Sequence, residues 1–138
     1  YAAHQLTNEL ASIEAPDAGA DAIREAFDRY AAASDGWARG RGCLLCNTAV
    51  ERGALDPGSA RHVAAYLERL TTAFRSCLAN ASTRGDIAAD ADLDQLAAFF
   101  TTALIGVAAS LRAEAPPGQV RAACSVVTSV LDQHSSTA

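Results

Sequence analysis

The sequence predicts an all-α fold, a helical bundle of about six helices, and three observations carry that prediction. Alanine occupies 33 of the 138 positions, and it has the highest intrinsic helix propensity. Apolar residues recur at spacings of three and four in most segments, and no segment shows the strict alternation of a half-buried strand. The composition, 50% hydrophobic and 20% charged, is that of a globular protein, and the length suits one domain. A net charge of −5 argues against nucleic-acid binding by this segment itself, because phosphate contacts need clustered cations. The chain has no lysine and no methionine, so Tyr1 is expected to continue a longer chain. No basic start followed by an apolar core marks a signal peptide, and a cytoplasmic location is expected.

Punctuation divides the chain. The first helix runs from Tyr1 to about Ala15 and stops before Pro16, because the residue preceding proline is pushed out of helix. The second has Asp17–Asp21 as N-cap candidates, carries Ile23, Phe27 and Tyr30 at helical spacing, and closes at Ser34-Asp35-Gly36. A third, Cys43 to about Arg52, is stopped by Gly53. Asp56-Pro57 opens the longest helix, with Val63, Tyr66, Leu67, Leu70, Phe74, Cys77, Leu78 and Ala81 on its apolar face. Its solvent positions are Arg61, Glu68, Arg69, Arg75 and Arg84, and Gly85 is its C′ stop. Asp92 to Gln95 starts the fifth helix like a capping box, with Leu93, Leu96, Phe100, Leu104, Val107 and Leu111 along one face. Pro116-Pro117-Gly118 breaks it, and the last helix begins near Gln119.

The last two helices are apolar on more than one face: Phe99 stands beside Phe100, Ile105 beside Leu104, and Val126 and Val130 beside Val127 and Leu131. A terminal helix of a small monomer normally leaves one face polar. Either both helices are sandwiched within the chain, or they meet a twofold copy in a four-helix interface of a homodimer. The dimer residues expected are Phe100, Leu104, Val107 and Leu111 with Val120, Cys124, Val127 and Leu131. Gln95 to Leu111 carries no charge over 17 residues, the short edge of a membrane span. Its small and partly polar residues fit a helix buried in a soluble fold better, so no membrane is expected.

Other chemistry finds little support. Cys43 and Cys46 have Cys-x-x-Cys spacing, but Cys77, Cys124, His4, His62 and His134 supply no second pair for a zinc site. The cysteines read as small buried apolar residues, with a redox-responsive thiol as the alternative. Asp86, Asp90, Asp92 and Asp94 resemble part of a calcium loop; counted from Asp90, Gln95 replaces its glycine and Thr101 its closing glutamate. There is no Gly-x-Ser-x-Gly elbow, His62 reads as solvated, and His134 lies in the C-terminal tail. No enzyme activity, metal or cofactor is expected.

The run Gly42-Cys43-Leu44-Leu45-Cys46-Asn47-Thr48-Ala49-Val50-Glu51 resembles the Gly-Cys-Leu-x-x-Asn-x-x-x-Glu signature of TetR/AcrR-type transcriptional regulators. The resemblance continues in order through Asp56-Pro57, Thr83-Arg84-Gly85-Asp86-Ile87, Leu96-Ala97-Ala98-Phe99-Phe100 and Ala103-Leu104-Ile105-Gly106-Val107, and spans roughly Trp37 to Leu111. It implies that residues 1–138 form the effector-binding and dimerisation domain of such a regulator, usually a repressor. The family's N-terminal helix-turn-helix, through which the DNA operator is bound, has no counterpart before Pro16 and is expected upstream. The resemblance further implies a mostly apolar effector cavity between helices. Its expected walls are Phe27, Tyr30, Trp37, Tyr66, Leu70, Phe74, Phe99 and Leu104, with Asn47, Thr48 and Thr102 as polar members. Few charged residues fall among them, so the expected effector is a small, neutral or weakly polar, mostly hydrophobic molecule. The alternative is a stand-alone helical binding or interaction module without DNA activity.

Overall fold

The computed structural model describes residues 10–41 and 57–136. Four helices account for most of them: α1 (Ala20–Ala32), α2 (Pro57–Thr83), α3 (Leu93–Arg112) and α4 (Pro117–Gln133). A helical turn at 10–14 precedes α1. The expected Cys43–Arg52 helix lies outside the described residues. Among those described, extended pairing is limited to one isolated bridge between Ile87 and Ser135.

The helix boundaries follow the local chemistry. Asp92 accepts a hydrogen bond from the Gln95 backbone N–H, 3.1 Å away, and so caps α3. Pro57 and Pro117 occupy first helical positions, where a missing N–H is no loss. Gly85 ends α2 in the left-handed region at φ +82°, and the following Asp86 N–H bonds back to the Ala81 carbonyl at 2.8 Å. One expectation is corrected. The N-cap of α1 is Gly19, whose lack of a side chain leaves no cap hydrogen bond, while Asp21 sits in the first turn.

α2 packs along α3 and α1 along α4, and α1–α2 and α3–α4 contacts close the ring. Phe27 of α1, Phe74 of α2 and Phe100 of α3 meet at its centre, with ring centroids 6.0–6.3 Å apart and all three fully buried. Thr71 and Thr101 place their hydroxyls 3.0 Å apart in the α2–α3 seam. Each also bonds the carbonyl four residues back in its own helix. His134, expected in a loose tail, caps α4 instead: its Nδ1 lies 3.0 Å from the Val130 carbonyl. Its own carbonyl accepts from the Ala88 N–H at 2.8 Å.

Candidate functional site

An apolar cleft opens between the 10–14 turn and three helices. Its lining is Leu10 and Ile13, Ala26 and Tyr30 of α1, Tyr66 and Leu70 of α2, and Leu104 of α3. None of these seven carries a charge. The space between the walls is about 310 Å³ when the open solvent at the mouth is included. Only about 10 Å³ of it admits the centre of a water molecule. The cleft is therefore nearly closed, far below the ~300–1,000 Å³ of typical ligand sites.

Of the residues expected as cavity walls, Tyr30, Tyr66, Leu70 and Leu104 line this cleft. Phe27 and Phe74 do not: both rings are spent on the core. Trp37 packs beside Tyr30 at 6.4 Å but is 36% exposed, and Phe99 is 39% exposed. Thr102 points outward, while its neighbour Thr101 is the buried hydroxyl. Asn47, Thr48, Cys43, Cys46 and His4 lie outside the described residues. Leu10, Ile13 and Ala26 were missed as walls. The Leu10–Ile13 spacing of three was a signal that they share a helix face, but not of what that face meets.

The turn and the loop after it are fastened to one stripe of α2 and to Arg84 just past its end. Arg69 donates from Nε and Nη2 to the two Glu14 carboxylate oxygens, at 2.8 and 2.7 Å. Cys77 Sγ donates to the Ile13 carbonyl at 3.1 Å. Asn80 Nδ2 donates to the carbonyls of Pro16 and Ala18, at 3.1 and 2.8 Å. Arg84 donates to the Asp17 carbonyl. The hydrogen bonds from Arg69 hold the Glu14 carboxyl below its usual value; burial opposes them, and the guanidinium charge adds to them. Because the folded value is the lower one, the pair's contribution is full above the ordinary carboxylate pKa of 4.5 and fades as pH falls through the lowered value.

The expected dimer residues are placed differently from expectation. Phe100, Leu104, Val107, Leu111, Val120, Cys124 and Leu131 are each at most 7% exposed within the single chain, and Val127 is half-buried. Side chains that already fill their own core have almost no area left to give a partner. Between its charged ends at Asp94 and Arg112, α3 shows solvent an uncharged stripe of Phe99, Thr102, Gly106 and Ala109 at spacings of three, four and three, with Ala98 beside it. A Cβ added at Gly106 would meet nothing within 4 Å. On α4, Val126 is 66% exposed. α3 is long and apolar enough by composition to cross a membrane, but its other face is the core face already described.

The two described cysteines are buried and free. Burial pushes both thiols up to about 11, with the Asp28 charge adding at Cys124. A protonated, enclosed thiol is a poor nucleophile. Peptide mapping after alkylation at neutral pH should find Cys77 and Cys124 unmodified in the native protein and modified in denaturant. Among the described residues, no three His, Cys, Asp or Glu side chains gather to hold a metal ion.

Comparison with known proteins identifies the family. A family model described as the tetracyclin repressor-like C-terminal domain matches residues 19–127. The chain belongs to that family. The fold agrees: a crystal structure of a TetR transcriptional regulator from Chloroflexus aurantiacus J-10-fl superposes with a TM-score of 0.78 at 21% sequence identity. That superposition covers 100% of this chain and 70% of the regulator. No curated protein sequence matches the chain. The family and the fold are those of transcriptional regulators.

Proposed function

We propose that this TetR-like C-terminal domain binds a small, neutral, mostly hydrophobic effector in the cleft walled by Leu10, Ile13, Tyr30, Leu70 and Leu104. The observation that carries the proposal is the cleft itself. It is uncharged and nearly closed, and one wall is the turn leading back towards residue 1. An effector that parts the walls displaces that turn and whatever precedes it in the chain. A helix-turn-helix head attached there would bind its operator less well, by the ligand's differential affinity for the two arrangements. The protein then acts as a cytoplasmic repressor released by its effector.

Homodimerisation belongs to the same reading, through the outward faces of α3 and α4. Glycine inside a helix is roughly 1 kcal/mol worse than alanine, and none of the described residues requires Gly106 to lack a side chain. A close-approaching partner helix would give a reason, and Phe99 and Val126 offer exposed apolar area. Two copies would set their DNA-reading heads about one DNA turn apart, roughly 34–36 Å.

The effector site is tested with N-phenyl-1-naphthylamine, a neutral apolar fluorophore. Ala26→Leu adds bulk inside the cleft and is expected to weaken its binding about tenfold or more, about 1.4 kcal/mol at the least. The exposed control Arg75→Ala should leave the affinity unchanged. Equal binding by Ala26→Leu and wild type, with both folded, contradicts the assignment.

A further inference from the structure

The 10–14 turn and the loop after it are held at four places, three on α2 and one at Arg84 just past its end, and one differs in kind. Cys77, Asn80 and Arg84 reach backbone carbonyls of residues 13, 16, 17 and 18. Arg69 instead grips a side chain, the Glu14 carboxylate, through two parallel hydrogen bonds. Arg69, Cys77 and Asn80 are spaced eight and three apart on α2, so they line one face of the helix, and Arg84 follows just past its end. Arg69 adjoins the cleft residue Leu70, and Glu14 adjoins the cleft residue Ile13. The carbonyl contacts at 16–18 lie at the far end of the stripe, near the end of α2. The side chains of Arg69 and Glu14 remain 63% and 31% exposed, so water competes for the pair directly.

We infer that the Glu14–Arg69 pair is a charge latch that sets how readily residues 10–14 lift from the cleft, with the 16–18 carbonyl contacts as the hinge end. The latch governs access to the site, so its regulatory meaning rests on the cleft being the effector site; the lifting motion does not. A closed form that dominates the equilibrium reduces apparent ligand affinity by the fraction that is open. Weakening the latch raises that fraction, and affinity rises by the same factor. Exposed ion pairs are weak, which limits the factor to about two- to fivefold.

Hydrogen–deuterium exchange on the purified protein tests the latch, with Glu14→Gln, Arg69→Gln, the double substitution, and the swapped pair Glu14→Arg with Arg69→Glu. Each single substitution is expected to speed exchange of the 10–18 peptide about two- to fivefold. The double should add nothing further, the swap should return exchange towards wild type, and 117–133 should not change. N-phenyl-1-naphthylamine should bind the single variants more tightly by the same factor. Unchanged exchange at 10–18, or an equal rise across 117–133, overturns the latch. Faster exchange at 10–18 with no binding of the fluorophore by any form supports the latch and removes the cleft as the effector site.

Discussion

Phe100→Ala is expected to destabilise the domain by about 3–5 kcal/mol, the range for truncating a buried phenylalanine. Phe100 is fully buried and touches three other rings: Phe27 and Phe74 at 6.1 and 6.0 Å, and Phe99 edge-on at 5.2 Å. Its removal takes away the point where α1, α2 and α3 meet. Domains of this size are stable by about 5–15 kcal/mol, so the loss is a large share of the total. The midpoint of thermal unfolding should fall by roughly 10 °C. Calorimetry or circular dichroism melting checks this. Phe74→Ala should behave alike. A fall of only a degree or two in both would mean that the aromatic cluster is not the core.

Phe99→Asp is expected to turn a dimer into a monomer while leaving the fold intact. Phe99 neighbours Phe100 in sequence, but it is 39% exposed and its stripe holds no charge that could partner a carboxylate. A twofold interface would contain the new charge twice. An uncompensated charge in a buried interface costs about 3–5 kcal/mol, which corresponds to a dissociation constant raised more than about a hundredfold. Sedimentation analysis over a concentration series reads this directly, with Arg75→Ala as the control. Dimers of unchanged affinity would place the contact elsewhere. A wild type monomeric at every concentration would remove the dimer altogether.

The fold was largely legible because its signals are local. Pro57, Asp92 and Gly85 each act on the backbone within one turn, and the structure uses them as read, whereas Pro117, read as part of a break before Gln119, opens α4 itself. Periodicity also found the inward faces: Leu96, Phe100, Leu104, Val107 and Leu111 are all buried. What periodicity does not give is the partner of a buried face. Phe27, Phe74 and Leu70 are indistinguishable as apolar positions, yet only Leu70 borders the cleft. The core faces of α3 and α4 were taken for a meeting with a second copy, whereas they meet helices of their own chain. Thr101 and Thr102 differ by one position and so by about 100° around the helix, which puts one inside and one outside. The Glu14–Arg69 contact spans 55 positions, and no local pattern announces it.

The central claim is that the cleft between the 10–14 turn, α1, α2 and α3 receives a small neutral apolar molecule. Methyl-resolved NMR during a titration with N-phenyl-1-naphthylamine tests it most directly. Shifts concentrated on the methyls of Leu10, Ile13, Ala26, Leu70 and Leu104, with those of Val126 and Leu131 unmoved, are the predicted result. Shifts confined to Val126 and the outer face of α3, or none at saturation, would contradict it.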